Sequence, residues 1–173
     1  LTRTHKLLNA VRNWLRLAAV LALEDTNPTS FPQPLDLSDL PSLPSSYTFW
    51  HYKNNYRIGN NFSLSSGIIL DFDGDSGMSL NEATECAKKM NCHALLATSY
   101  SHLRDKKKKD GSIINGPCIR LLIATSRLFH TWSDLFSSLN FVSNTYFNGK
   151  ADPAGMLVSQ FLIPSPDDAT IVE

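Results

Sequence analysis

The chain has little cysteine, no surplus of charge of either sign and no long apolar run. Its three cysteines, Cys86, Cys92 and Cys118, are an odd number and sparse for 173 residues. That argues against a secreted disulfide scaffold and for a reducing, cytoplasmic compartment. No segment approaches the roughly 20 apolar residues needed to span a bilayer, so no membrane partner is expected. Sixteen basic side chains cancel sixteen acidic ones. A protein that coats polyanions through its overall field is thereby excluded, and any nucleic-acid surface must be a local patch. There is no GxxxxGK loop, so this segment is not itself an ATP-driven helicase, and no internal repeat is visible. Cys86, Cys92, His93 and Cys118 include the ligand types of a zinc site, but without a compact Cys-x-x-Cys knuckle they read as core cysteines. The first residue is Leu1 rather than an initiator methionine, as expected for a segment of a longer protein.

What is present suffices for one core: 42% of the residues are hydrophobic and only 18% charged, in a length typical of one domain with a small appendage. Leu7, Leu8, Val11, Trp14, Leu15, Ala18 and Leu21 recur at helical spacing. They predict an amphipathic helix over residues 4–24, within an N-terminal unit of residues 1–25. Pro28, Pro32, Pro34, Pro41 and Pro44 make residues 26–46 a connector. Residues 47–173 form the main domain. Strands are expected at Tyr47–Tyr52, Gly67–Leu70, His93–Thr98, Cys118–Ala124 and Met156–Ile163, and a helix at Leu128–Leu139. Ser79 followed by Glu82 is a capping box that opens another helix, with Ala83, Cys86, Ala87 and Met90 on one face. The alternation implies an α+β or α/β layered structure with helices against a sheet.

The strongest chemical signal is Asp71-Phe72-Asp73-Gly74-Asp75 at the end of an apolar strand. Strand residues two apart share a side, so Asp71 and Asp73 present two carboxylates to one point while Phe72 faces the other layer. Such a pair calls for a cation, and an all-oxygen donor set favours Mg²⁺ or Mn²⁺ shared with substrate phosphates.

The opposite charge gathers downstream. Residues 71–85 carry five acids and no base, whereas residues 101–127 carry seven bases and two acids. Ser101 and His102 follow an apolar strand and are able to donate to phosphate oxygens, and Lys106, Lys107, Lys108 and Lys109 add a local positive patch suited to nucleic acid. Arg120 interrupts Cys118-Ile119-Arg120-Leu121-Leu122. A guanidinium there must meet an anion, either a protein carboxylate or a substrate phosphate. Asp152 supplies a third acid ahead of a final strand, enough to complete a two-metal site.

The order of these motifs resembles the catalytic core of the archaeo-eukaryotic primase superfamily, in particular the primase-polymerases of plasmids and phages. The resemblance rests on Asp71-x-Asp73, Ser101-His102, Arg120 within a strand, and Asp152 ahead of Ser159-Gln160-Phe161-Leu162-Ile163-Pro164, and covers roughly residues 47–166. Tyr100 stands where the family usually has a small residue. The resemblance implies an α+β, RRM-like core of sheet and flanking helices. It further implies metal and catalytic roles for Asp71, Asp73 and Asp152, and nucleotide-binding roles for Ser101, His102 and Arg120. The implied activity is synthesis of primers on single-stranded DNA from nucleoside triphosphates, in the cytoplasm of a bacterial, archaeal or phage-infected cell, with a helicase or origin-binding part beyond Glu173.

A second resemblance sits beside it: Ile68-Ile69-Leu70-Asp71-Phe72-Asp73-Gly74 is similar to the first motif of haloacid-dehalogenase-type phosphatases. It would make Asp71 a nucleophile and Asp73 a general acid, with Thr98 or Ser99, one of Lys106–Lys109, and Asp167-Asp168 as the later motifs. That reading leaves Ser101-His102 and Arg120 unexplained. A non-enzymatic nucleic-acid-binding module is the third class, for which the acidic cluster would be a liability beside a phosphate backbone unless metal is present.

Overall fold

A computed structural model describes residues 19–20, 33–34, 50–53, 59–92, 94–99, 101–107, 110–157 and 170–172. Its strands are β1 (Ala19–Val20), β2 (Gln33–Pro34), β3 (Trp50–Tyr52), β4 (Phe62–Phe72), β5 (Ala94–Thr98), β6 (Lys106–Lys107), β7 (Ile113–Ile114), β8 (Ile119–Phe129) and β9 (Ile171–Val172). Two α-helices accompany them, α1 (Leu80–Lys89) and α2 (Trp132–Phe147). The architecture is α+β, as the sequence leads one to expect, built on a five-stranded sheet of order β3-β4-β8-β5-β9. β8 is the central strand, antiparallel to both β4 and β5, so these two run parallel with α1 as their crossover.

Alternation along β4 and β8 sorts their side chains onto two faces. Ile68, Leu70 and Phe72 lie opposite Ile123, Leu121 and Ile119 on the face that meets the helices. Phe72 packs on Phe147 of α2, ring centroids 5.0 Å apart, and Leu70, Leu121, Leu135 and Leu139 are completely buried there. Ile69 and Leu122, on the other face, are buried as well. Burial on both sides is why these strands read as unbroken apolar runs rather than as alternating ones. At the far end of α2, Trp132 meets Trp50 of β3 and Phe62 of β4 edge-on, at 5.3 and 5.8 Å, which clamps the short edge strand to the helix.

The helix termini follow local chemistry. Ser79 caps α1, its hydroxyl accepting from the Glu82 amide at 3.1 Å. That is the N-cap expected from the sequence. Thr131 caps α2 by accepting from the Asp134 amide at 3.2 Å, and Asn148 and Gly149 end it with positive φ.

Several expected boundaries shift. β8 runs on to Phe129 rather than stopping at Ala124, so Leu128 and Phe129 belong to a strand and the following helix begins only after the Thr131 cap. Met156 closes a 3-10 turn, Pro153–Met156, in place of opening a strand, because Pro153 fixes a turn-like start. The rest of the strand expected to Ile163 lies outside the described residues. So does most of the N-terminal helix expected over residues 4–24; its described pair, Ala19–Val20, is instead a short strand bridged to Gln33–Pro34 of the expected connector.

Phe147 fills the space between α2 and the sheet, so Phe147→Ala is expected to destabilise the fold by about 3–5 kcal/mol, measured by denaturant unfolding.

Candidate functional site

The site forms at the end of β4 where the strand gives way to a turn. Register places Asp71 directly opposite Arg120 of β8. Both point to the face away from the helices, and the guanidinium grips both carboxylate oxygens, Nε on Oδ1 at 2.7 Å and Nη2 on Oδ2 at 3.3 Å. Arg120 is 4% exposed. The sequence left its partner open between a protein carboxylate and a phosphate, and in the fold the carboxylate of Asp71 takes it.

Asp73 lies past the strand end, in a turn closed by the Ser76 amide on its carbonyl at 2.8 Å. Its carboxylate accepts from Nζ of Lys106, brought in from β6 of the small β6–β7 hairpin. The hairpin is pressed against the acid turn by a glycine-on-glycine approach: a Cβ on Gly116 would stand 2.5 Å from the Gly74 carbonyl oxygen. Only glycine fits such a crossing without moving backbone.

Asp152 reaches the same place by another route. After the Asn148-Gly149 cap, the chain ties to α1 through Lys150 and Glu82, at 2.9 Å. The Asp152 amide then donates to the Asp71 carbonyl at 2.7 Å, continuing the pairing of β4 on its outer side. Its Oδ1 accepts from the Ala154 amide at 2.9 Å, which caps the 3-10 turn. Gly155 of that turn lies over Asp71, so close that a Cβ would sit 3.3 Å from Asp71 Cβ.

His102 and Ser101 occupy the turn after β5, beside residues 116–118. The Ser99 amide donates to the Cys118 carbonyl at 2.9 Å and the Leu103 amide to the Gly116 carbonyl at 3.0 Å. Nδ1 of His102 stands 3.2 Å from the Cys118 amide nitrogen and 3.3 Å from the Cys118 carbonyl oxygen, so the ring tautomer sets whether it accepts or donates there. The Cys118 thiol in turn lies within electrostatic reach of Asp73, Lys106 and Asp71. The structure thus gathers Asp71, Asp73, Asp152, Arg120 and Lys106, with His102 joined to them through Cys118. Lys107 is exposed on the hairpin, and Lys108 and Lys109 lie outside the described residues. Of the residues the phosphatase resemblance would use, Thr98 is spent on the Thr170 amide at 2.9 Å, and Asp167 and Asp168 lie outside the described residues.

The charges are unequal. Burial, reinforced by the negative charges of Asp73 and Asp71, raises the Asp152 pKa in spite of the Ala154 hydrogen bond. Burial by itself would lower the Lys106 pKa, but its hydrogen bond to Asp73 and the charges of Asp73 and Asp152 outweigh it and raise the value. Burial also raises the pKa of Cys118.

Carboxylate oxygens are the donors that suit Mg²⁺ or Mn²⁺. Among the described residues no three His, Cys, Asp or Glu side chains stand close enough together to enclose a metal ion, and the Asp71 oxygens are both held by Arg120. A three-carboxylate cage does not fit this arrangement. Mg²⁺ is commonly bound by one or two carboxylates and completed by substrate phosphates.

Sequence reasoning missed the Gly74–Gly116 crossing, the seat of Gly155 over Asp71 and the place of Cys118. The Gly116-Pro117 pair just ahead of β8 is the one signal that could have marked the crossing. Compared with known proteins, the chain matches no protein-family model, no curated protein and no solved structure.

Two outcomes test the electrostatics. Arg120→Met leaves a buried carboxylate without its guanidinium and is expected to cost about 3–5 kcal/mol, whereas Asp71→Asn with Arg120→Met removes both charges and should recover most of that loss in denaturant unfolding. For Asp152 the sign runs against the usual carboxylate. A carboxyl whose pKa is raised in the fold binds its proton more tightly folded than unfolded, so stability falls as pH climbs from the ordinary 3.8 through the raised value. Asp152→Asn keeps the cap to Ala154 and should raise the unfolding midpoint at neutral pH, with the gain vanishing in acid below the ordinary aspartate range.

Proposed function

We propose that this chain is the catalytic core of a primase-polymerase, joining nucleotides on a single-stranded DNA template in plasmid or phage replication. The observation that supports the reading is the convergence, at one end of an antiparallel sheet, of Asp71, Asp73 and Asp152 with Arg120 and His102, the residues the family resemblance names, and with Lys106 beside them. They arrive from β4, β6, β8, the turn after β5 and the segment after α2, so their meeting is a property of the fold and not of local sequence.

In this reading Asp73 and Asp152 hold the divalent ion, Mg²⁺ or Mn²⁺. Bound there, the ion supplies charge stabilisation to the reacting phosphate and acidifies the attacking 3′-hydroxyl. The protein does the positioning. His102, held through Nδ1 by the Cys118 backbone, offers its other ring nitrogen to a triphosphate oxygen, with Ser101 beside it. Arg120 neutralises Asp71 and sets the electrostatic floor of the pocket, its guanidinium fixed beside the nucleotide. Lys107, exposed on the hairpin, is assigned to template or primer phosphate together with Lys108 and Lys109 of the same run, since a flexible ammonium suits a backbone contact.

A nucleophilic aspartate must offer one oxygen to phosphorus, and both oxygens of Asp71 are occupied. This counts against the phosphatase reading. Primer synthesis with Mg²⁺ or Mn²⁺ on several single-stranded templates discriminates between the two. Asp73→Asn with Asp152→Asn should lower incorporation by roughly a hundred-fold or more, with the fold intact by circular dichroism. His102→Ala should raise the nucleotide KM by about ten-fold or more, the loss of one hydrogen bond to a charged group. Wild-type synthesis by the double variant would overturn the assignment, and phosphate release from simple phosphoesters by the unmodified protein would establish the phosphatase in its place.

A further inference from the structure

Alternation sorts the β6–β7 hairpin onto two sides, and one of them meets the acid turn. Lys106 pairs with Ile114 across the ladder and Lys107 with Ile113, so each of these pairs shares a side. The first pair faces the turn: the Lys106 ammonium reaches Asp73, and a Cβ on Gly74 would lie 2.9 Å from Cγ2 of Ile114. The second pair therefore faces away. Lys107 is exposed and Ile113 is 65% exposed. At the base of the hairpin Leu103 is 60% exposed and is followed by the exposed Arg104. Ile113 and Leu103 are two of the three most exposed large apolar side chains among the described residues.

Leucine is a costly choice at position 103. Its φ is 53°, in the left-handed region that glycine enters freely and a leucine does not. Its amide donates to the Gly116 carbonyl at 3.0 Å, which fixes the turn. An apolar side chain held in water on a strained backbone points to a role outside packing. The hairpin that carries Ile113 is fixed as well, by the Asn115 side-chain amide on the Asp105 carboxylate at 2.8 Å and by the Gly74–Gly116 crossing. Both acids of residues 103–113 are engaged within the hairpin, Asp105 by Asn115 and Asp110 by the amide and hydroxyl of Ser112. The five bases of the same stretch leave it net positive.

We infer that this outward face is a contact for single-stranded nucleic acid, with Ile113 and Leu103 against bases and Lys107 and Arg104 against phosphates. The chemistry matches unit for unit. Each nucleotide couples one anionic phosphate to one flat base with apolar faces, and here each aliphatic side chain has a cation as its immediate neighbour. Arg104 is next along the chain from Leu103, and Lys107 is across the ladder from Ile113. Leucine and isoleucine are among the side chains that proteins set against bases, and bases are open to such contact once the strand is single. A lipid surface is a poorer match, because it is met by a broad, continuous apolar face. The inference deepens the proposed function, on which the identity of the strand as a template rests, and it adds base contacts to a lysine run otherwise assigned to phosphate alone.

The test follows binding of the full chain to labelled oligothymidylate by fluorescence anisotropy, over a series of salt concentrations and without nucleotide or metal. A matched abasic strand keeps the phosphates and removes the bases. Ile113→Ser should weaken binding to oligothymidylate by roughly three-fold or more and leave binding to the abasic strand unchanged. Lys107→Gln should weaken both and lower the salt slope by about 0.7. Leu103→Gly releases the left-handed strain, so it should weaken oligothymidylate binding while the thermal unfolding midpoint stays level or rises. Phe141→Ser removes a comparably exposed apolar group from α2 and should leave binding unaltered. Equal losses on the two strands overturn the inference, as do an unchanged salt slope in the lysine variant, a Leu103 variant that binds as before, and a Phe141 variant as weak as the Ile113 one. Absence of saturable binding by the unaltered protein overturns it too. Attachment to phosphatidylglycerol vesicles that Ile113→Ser abolishes, with no effect on the oligonucleotide, would assign the face to lipid instead. Primer synthesis is a separate readout. Base-dependent binding by a protein that makes no primer would remove the function and leave the contact, and synthesis with binding indifferent to Ile113 and Lys107 would do the reverse.

Discussion

The cross-strand pair of Arg120 and Asp71 is the constraint from which the rest of the site is measured. A guanidinium placed in the middle of a buried strand tolerates one arrangement only, the one in which a carboxylate stands opposite it. Sliding β8 by one residue against β4 would carry Arg120 to the helix-facing side, among Leu70, Phe72 and Phe147. The pair therefore selects the register of two eleven-residue strands. Once it is set, Asp73 falls two residues beyond Asp71 in the turn, Gly74 meets Gly116, and the Asp71 carbonyl is left to receive the Asp152 amide. A buried ion pair contributes little net stability compared with well-packed apolar side chains. Its value here is positional.

That distinction explains why the acids of this site have different parts. Three carboxylates brought together repel one another, and the molecule resolves this by giving two of them a base and leaving the third, Asp152, to shift its own equilibrium. Desolvation decides which base suits which place. The guanidinium is weakly hydrated, planar and bidentate, and suits the buried position. The ammonium is strongly hydrated and monodentate, and suits the rim. Exchanging the two residue types would put a compact, strongly hydrated charge in the interior and a rigid fork at the surface, where its geometry is wasted.

How far the sequence revealed this depended on the range of the interactions. Ser79 and Glu82 are three residues apart, so their cap was readable, and so was the short buried apolar run of the strand over residues 94–98. Leu128 and Phe129 were assigned to a helix because apolar residues serve either structure. The hydroxyl of Thr131, three residues before Asp134, is what decides the boundary, and it outweighs the two apolar neighbours. Met156 was expected in a strand, but Pro153 and the Asp152 cap turn the chain first. That Arg120 required an anion was evident from its neighbours. Which anion it meets depends on a register spanning 49 residues of chain, and no local pattern encodes that. For the same reason the lysine run looked uniform in sequence, although Lys106 and Lys107 project to opposite sides of the hairpin and, of these two, Lys106 meets the acids.

The division of the sheet into two faces ties fold to function. On the helix side, β4 and β8 spend Leu70, Phe72, Ile119 and Leu121 on packing, at close to full burial. On the other side the same strands carry Ile69 and Leu122 and then, at the next position, Asp71 and Arg120. The switch from apolar to charged occurs within one alternation and at the same level on both strands. The core thus extends to the edge of the acid site without a flexible intermediary. The buried pair Arg120–Asp71 is mounted on the two long strands, and the more exposed pair Lys106–Asp73 one step outward, on a hairpin and a turn. The two pairs are adjacent because β4 ends between residues 71 and 73, so the first aspartate is fixed by the ladder and the second by the turn that follows it.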